Sequence, residues 1–192
     1  MLQRPSIARF ALMGLLLVAT GAALAATGDE TRDWRRWLRM FPNIAPATQP
    51  AYLQECGSCH LAYPPGVLPA ASWNRILAPE SLADHYGDDA SLPDDLVAEL
   101  RTYLTANAAD RSARVRERAF AVPGASGSDA GLPRITETPY FIRKHHRIPA
   151  RLVTDNPEVG SFSQCNRCHI GADAGIFDER QVEIPGFGRW KD

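Results

Sequence analysis

The chain has 192 residues, with 21 Lys and Arg against 22 Asp and Glu, so its formal net charge is −1 when the histidines are neutral. This balance excludes a strongly basic nucleic-acid-binding protein. A hydrophobic fraction of 45% excludes a wholly disordered chain.

An uncharged apolar run of 17 residues spans 10–26 and follows two arginines. A basic start, an apolar centre and small residues at positions 23 and 25 are typical of a secretory signal peptide. We expect a signal peptide over 1–25, cleaved after Ala25 or Ala26, and a periplasmic mature protein. An uncleaved membrane anchor is the alternative, because the run is close to the shortest length that spans a bilayer.

The first part of the remaining chain has several helix signals. Thr31 predicts the start of a short helix that runs to Phe41. A second helix starts at Pro50 and is predicted to carry residues 56–60 before the Pro-rich stretch 63–66 ends it. The further predicted helices are 71–77, a longer one that begins at Pro93 with its apolar residues on one face, and a charged continuation over 105–119.

All four cysteines of the chain fall in two Cys-x-x-Cys-His motifs. These are Cys56, Cys59 and His60 in the first motif and Cys165, Cys168 and His169 in the second. The pattern is the attachment signature of a c-type haem, since two thiols one helical turn apart can form thioethers with the two vinyl groups of one porphyrin. The histidine that follows binds the iron from one face. We therefore predict two covalently attached c-type haems.

Other uses of four cysteines fit this sequence less well. A zinc site built from four thiolates does not need a histidine after each pair. A thioredoxin-like dithiol needs a βαβ context, which neither motif has. A disulfide within Cys-x-x-Cys would constrain little of the chain.

Three histidines outside the motifs are candidates for the opposite faces of the irons. His85 follows the first motif by 25 residues, and His145 precedes His169 by 24, so each part of the chain can supply its own second ligand. The crossed pairing stays open. His145 and His146 are adjacent and their side chains diverge, so only one of them can be a ligand.

Ligation by methionine is disfavoured by position. Met40 is the one methionine that remains after cleavage, and it precedes the first motif. Two imidazoles on each iron would fill all six coordination positions, which favours low-spin iron and electron transfer over catalysis. Imidazole in place of a Met thioether also favours a lower reduction potential.

A stretch rich in Gly, Ser, Ala and Pro begins near Val122 and is typical of a linker. It predicts an N-terminal haem domain over 26–121, a linker over 122–133 and a C-terminal haem domain over 134–192. The C-terminal part has no convincing helix beyond its motif and no strand alternation. A unit of about 60 residues has little core of its own, so we expect its haem to supply much of the apolar interior.

Charge is distributed unevenly along the chain. Seven acidic residues and no Lys or Arg lie between Glu80 and Glu99, whereas five basic residues and one acid lie between Arg134 and Arg151. These stretches are either solvated loops, a surface that steers a redox partner, or two surfaces that attract each other. The basic residues could also pair with haem propionates.

Several segments together resemble the dihaem cytochrome c family of proteobacteria. They are ECGSCHLAYPPGVLPAASW, DHYGDDASL, RITETPYFIRKHHRI, CNRCH and GIFDERQVEIPGFGRW, in the family's order and over nearly the whole mature chain. The resemblance implies a mainly α fold, with a helical cytochrome c-like N-terminal domain and a small, largely irregular C-terminal domain organised by its haem. It also implies that His85 and His145 are the distal ligands and that the place of His146 need not be histidine.

The expected function is that of an electron carrier and not of an enzyme. The family resemblance implies redox protein partners, either a small oxygen-binding monohaem cytochrome or a membrane b-type cytochrome. Neither a nucleic acid nor a small-molecule substrate is expected. The alternative is a dihaem peroxidase or a gas-binding haem protein, which would need one iron with an open site.

Overall fold

The computed structural model describes residues 41–122 and 131–191. The predicted signal peptide, most of the helix predicted from Thr31 and most of the predicted linker lie outside these ranges. The described residues are mainly helical, which confirms the predicted fold class. The α-helices are α1 (Pro50–Glu55), α2 (Ala70–Ile76), α3 (Pro79–Ala83), α4 (Asp94–Ala106), α5 (Val115–Arg118), α6 (Pro139–His145) and α7 (Cys165–Cys168).

Short 3-10 turns and one small hairpin complete the described secondary structure. The 3-10 turns are Pro65–Val67, Ile135–Glu137, Ala150–Leu152, Ala172–Ala174 and Glu179–Gln181. Strands β1 (Glu183–Ile184) and β2 (Gly188–Arg189) pair antiparallel, with Glu183 opposite Arg189. Within residues 41–122 and 131–191, no helix is long and apolar enough to cross a membrane.

Helices α2 and α4 pack against each other and form the centre of the N-terminal part. Val97, Leu100 and Leu104 of α4 are buried, as the predicted apolar face requires. The Pro-rich stretch is fixed to this core by two hydrogen bonds. Tyr52 Oη donates to the Tyr63 carbonyl at 2.8 Å, and Trp73 Nε1 donates to the Pro65 carbonyl at 2.8 Å.

The prediction that one helix carries the first motif is wrong. Helix α1 ends at Glu55, and residues 56–59 form turns. Two residues that follow Glu55 explain why α1 ends there. Ser58 Oγ donates to the Glu55 carbonyl at 2.8 Å, so a side chain takes an acceptor of the last turn. Gly57 also lies so close to the Leu53 carbonyl that an added Cβ would stand 2.2 Å from its oxygen.

The predicted continuation of α4 through 105–119 is also wrong. Helix α4 ends at Ala106, where Asn107 Nδ2 donates back to the Tyr103 carbonyl at 2.8 Å. Such a side-chain bond competes with the next helical turn. The chain then enters the core, where Ala109 is fully buried and its N–H donates to Leu68 at 2.9 Å. A separate short helix, α5, follows.

The sequence reading missed α6 in the C-terminal part. Thr138 is its N-cap and accepts from the Phe141 N–H at 3.3 Å, and Pro139 occupies the first turn. Thr at the N-cap followed by Pro is an ordinary helix start. Both residues were visible in the sequence and could have predicted this helix.

The segment just before α1 packs against the C-terminal part. The N–H groups of Asn43 and Ile44 donate to the Gly175 carbonyl at 3.0 and 3.1 Å, and Asn43 Oδ1 accepts from Phe177 N–H at 3.1 Å. Gly175 has φ +72°, and a Cβ there would stand 2.1 Å from the Ile44 carbonyl oxygen. Only glycine therefore permits this close approach.

Candidate functional site

The first motif presents His60 with a defined tautomer. Its Nδ1 lies 2.7 Å from the Leu61 carbonyl. A carbonyl can only accept, so Nδ1 carries the proton of the neutral imidazole and Nε2 keeps the lone pair that a metal needs. Cys56 is half-buried and Cys59 is exposed, and neither forms a disulfide.

His85 faces the first motif from a tight loop between α3 and α4. The loop closes on itself because the His85 N–H donates to the Asp88 carbonyl at 2.7 Å and the Asp88 N–H returns to His85 at 3.3 Å. Tyr86 and Gly87 have φ values of +58° and +106°. The turn therefore holds a non-glycine residue in the left-handed region directly after the histidine.

The rings of His60 and His85 stand 6.4 Å apart, measured between their centroids, and their planes differ by only 15°. Nδ1 of His85 is buried and has no hydrogen-bond partner among the residues that the structure describes. Burial, with a smaller contribution from His60, lowers the pKa of His85. A lowered pKa keeps the imidazole neutral, which is the form that binds metals.

The second motif lies on α7, and His169 follows directly at its end. Burial is the main cause that lowers the pKa of His169 to about 4, with His145 and Arg116 adding to the effect. Its Nδ1 is buried, and no group within 41–122 or 131–191 forms a hydrogen bond with it. Burial also raises the pKa of both Cys56 and Cys165 to about 11. Redox-active Cys-x-x-Cys motifs need the opposite shift.

Helix α6 ends at His145 and aims it at the second motif. The His145 and His169 ring centroids are 6.2 Å apart, but their planes differ by 75°. Nδ1 of His145 lies 2.9 Å from the Phe141 carbonyl. The Phe141 ring stacks on His145 at 3.8 Å, and Phe162 meets the same imidazole edge-on at 6.1 Å.

His146 points away from this arrangement. It is exposed, and its Nδ1 lies 2.9 Å from the Arg143 carbonyl. The structure thus brings His60 to His85 and His145 to His169 and leaves His146 outside both pairs.

A cavity of about 530 Å³ adjoins the second histidine pair. It falls within the range of about 300–1,000 Å³ that is usual for cofactor sites. Cys165, Cys168, His145 and His169 all line it. The N-terminal part also contributes to the wall, with Ile44, Tyr63, Pro64, Val67, Arg116 and Phe120.

Both histidine pairs fit an iron between them. Two imidazoles on opposite faces of one metal have ring centres about 6 Å apart, because each metal–nitrogen bond is about 2 Å and each ring centre lies roughly 1 Å beyond its nitrogen. The observed 6.4 and 6.2 Å match this span. Within the described ranges, no three His, Cys, Asp or Glu side chains converge on a point where they could hold a metal ion by themselves.

The sequence reading missed the aromatic residues that orient these histidines. Tyr63 stacks on His60 with 4.8 Å between ring centroids, and Tyr86 meets His85 edge-on at 4.8 Å. Phe141 lies one helical turn before His145, so its position on α6 could have revealed it. Tyr63 was assigned only to the helix stop, and nothing in the sequence shows that its ring turns back toward the motif.

Comparison with known proteins identifies the family to which this chain is similar. The model of the dihaem cytochrome c family matches residues 52–177. The solved structure of a diheme cytochrome type c from Shewanella baltica is 46% identical, with a TM-score of 0.60, and the match covers 74% of this chain and 97% of that one. A diheme cytochrome c from Rhodobacter sphaeroides is 38% identical, with a TM-score of 0.57 and coverage of 69% and 99%. No curated protein sequence matches the chain.

The fold and the two attachment motifs define a c-type cytochrome with more than one haem. The chain belongs to the dihaem cytochrome c family. It carries two covalently bound c-type haems with iron, and its general function is haem-based electron transfer.

Proposed function

We propose that this protein is an exported electron carrier in which both irons are low-spin and held by two histidines. Cys56, Cys59, His60 and His85 bind the first haem. Cys165, Cys168, His169 and His145 bind the second. The observation that supports this most strongly is the pairing of the histidines, at 6.4 Å in the first site and 6.2 Å in the second. The same pairing favours ligands from within each part of the chain over crossed ones.

When bound, each haem supplies an iron that accepts and releases one electron. The chain's own residues orient two of the ligands and lower the pKa of the other two. The Leu61 and Phe141 carbonyls hold the Nδ1 protons of His60 and His145, so Nε2 of each ring stays available. Burial lowers the pKa of His85 and His169, which favours the neutral, metal-binding form of both imidazoles.

The walls of the second cavity are mainly apolar, so they would limit contact between water and a haem held there. A low-dielectric surrounding of this kind is one of the means by which a protein sets a haem potential. Arg116 and Arg180 line the same cavity. Their charge makes them suitable partners for the haem propionates.

The proposed partners are redox proteins whose charge is opposite to that of the surface beside each haem. The acidic residues Asp84, Asp88 and Asp89 are exposed around His85, whereas Arg143 and Lys144 are exposed beside His145. A basic partner is thereby favoured at the first haem and an acidic one at the second. The candidates are a small monohaem cytochrome and a membrane b-type cytochrome, with the protein located in the periplasm after cleavage of residues 1–25.

Partner docking can be tested by the rate at which a basic redox protein reduces this one. The rate should fall as ionic strength rises, because salt screens exposed charges. Glu80→Gln with Asp88→Asn should lower the rate at low salt, whereas Glu158→Gln, an exposed acid in the C-terminal part, should not. A rate that is independent of salt would remove the steering hypothesis.

A peroxidase or gas-binding function would need one iron with an open sixth position, and the observed histidine pairs disfavour it. Optical spectra of the oxidised and reduced holoprotein, with and without carbon monoxide, separate the two functions. We expect low-spin bands from two haems per chain that the gas does not change. A carbon monoxide shift in one haem would reject the electron-carrier assignment for that site.

A further inference from the structure

Tyr63 contacts both haem sites. Its ring stacks on His60, with 4.8 Å between centroids and 25° between planes. Its hydroxyl donates to the Ser163 carbonyl at 2.8 Å, across a sequence separation of 100 residues. The same side chain lines the 530 Å³ cavity beside the second histidine pair.

The acceptor of this hydrogen bond, Ser163, lies two residues before the second attachment motif. The Ser163 carbonyl also accepts from the backbone N–H of Cys165 at 3.0 Å. The phenol and the first cysteine of the second motif are therefore joined through one carbonyl oxygen. Tyr63 is itself fixed, since its own carbonyl accepts from Tyr52 Oη at 2.8 Å and Pro64 and Pro65 follow it.

We propose that Tyr63 is a positioning residue for both haems: its ring orients the His60 imidazole and its hydroxyl fixes the backbone that carries Cys165. This inference rests on the ligand assignment proposed above. Tyr63 keeps its proton and its electrons while one electron passes between the two haems. In the first site it affects the orientation of the His60 imidazole. In the second site it affects the dipole of the Ser163 carbonyl and the position of the backbone before Cys165.

Two substitutions at this position separate the two contacts. Tyr63→Phe keeps the ring over His60 and removes only the bond to Ser163. Without that donor the carbonyl dipole is less neutralised, which favours ferric iron in the second site. Tyr63→Leu removes the bond and the stacked ring together, so it should disturb both sites.

Tyr86 offers a matched control. Its ring meets His85 edge-on, and its hydroxyl also donates to a backbone carbonyl across the two parts of the chain, that of Pro133. Pro133 precedes α6 and is not among the residues that line the second cavity. Tyr86→Phe therefore removes a comparable hydrogen bond whose acceptor does not line the second cavity.

The test is a potentiometric titration of the holoprotein followed by electron paramagnetic resonance, with each signal assigned through His85→Ala and His145→Ala. We expect Tyr63→Phe to lower the equilibrium constant for reduction of the second haem at least threefold. For one electron, at 59 mV per tenfold change, this lowers its reduction potential by roughly 28 mV. The first haem should keep its g values. Tyr63→Leu should also shift the g values of the first haem.

A purely structural role for Tyr63 predicts a different result. The inference is overturned if Tyr63→Phe shifts the second haem by less than threefold, or if Tyr86→Phe shifts it as much. Carbon monoxide binding by the wild-type protein would instead reject the ligand assignment. Because that control is recorded before any substitution, the two failures are distinguishable.

Discussion

The two haem sites of this protein are built in different ways. The first histidine pair lies entirely within the N-terminal part, beside a core formed by α2 and α4, and its rings are nearly parallel. The second pair is crossed by 75°, lies among phenylalanines, and shares its cavity with Ile44 and Phe120 of the N-terminal part. A segment of about 60 residues has too little core to enclose a porphyrin alone. The N-terminal part supplies the missing wall.

The largest expected effect comes from removing one of the two proposed distal histidines. His145→Ala should leave the second iron with an open position and make about half of the haem high-spin and able to bind carbon monoxide, since only one of two haems loses its ligand. His85→Ala should do the same at the first haem alone. Optical and paramagnetic resonance spectra measure both.

His146→Ala is the control for this pair, because the exposed side chain lies outside both sites. Its spectra should equal those of the wild type. High-spin iron in His146→Ala together with an unchanged His145→Ala spectrum would show that the neighbour is the ligand.

Loss of one haem should affect the two parts unequally. Replacing Cys165 and Cys168 with Ala removes the attachment of the second haem. We then expect residues 131–191 to lose protection from hydrogen exchange, because their own buried cluster is small. That cluster consists of Val153, Val159, Val182 and Ile184. Replacing Cys56 and Cys59 should leave α2 and α4 better protected than residues 131–191 are in the other variant, because protein side chains form much of the core that these two helices share. Equal loss in the two double variants would contradict the comparison.

The contribution of the N-terminal part to the second site can be tested at Ile44. This side chain is 2% exposed and lines the second cavity. Ile44→Ala should lower the free energy of unfolding by about 2–5 kcal/mol and shift the potential of the second haem. Val115→Ala, at a position that is 78% exposed, should change neither quantity. A change in the reduction potential of the first haem alone would show that Ile44 does not form part of the second haem site.

The smallest effect is expected in the loop that carries His85. Gly87 has φ +106°, and a Cβ added there would meet none of the described atoms within 4 Å. Gly87→Ala therefore adds only backbone strain of about 1–3 kcal/mol. We expect a small high-spin fraction at the first haem and none at the second. Gly186→Ala, at another positive-φ glycine with open surroundings, controls for strain away from the loop.

Much of this arrangement could be predicted from the sequence. The two motifs led to the haems because the spacing of Cys-x-x-Cys-His is set by the porphyrin itself. The apolar face of α4 was visible as helical periodicity. The end of α1 at Glu55 was not, since it depends on a bond from Ser58 Oγ and on the approach of Gly57 to Leu53.

Contacts between distant segments were beyond sequence patterns. The stacking of Tyr63 on His60 and the bond of its hydroxyl to Ser163 join residues that are 3 and 100 positions apart, and no periodicity links them. The angle between the imidazole planes is likewise set by tertiary packing, through Phe141 and Phe162 at His145. These are the features that make the two sites differ.

The most direct test is an electron paramagnetic resonance spectrum of the fully oxidised holoprotein. Parallel imidazole planes act on the same iron d orbital and separate the d levels, whereas crossed planes act on two orbitals alike and leave them close in energy. The angles of 15° and 75° therefore predict two low-spin signals in equal amount, of which the second has the larger g anisotropy. A high-spin signal from half of the iron would contradict ligation by two histidines at that site, and two identical low-spin signals would contradict the difference between the sites.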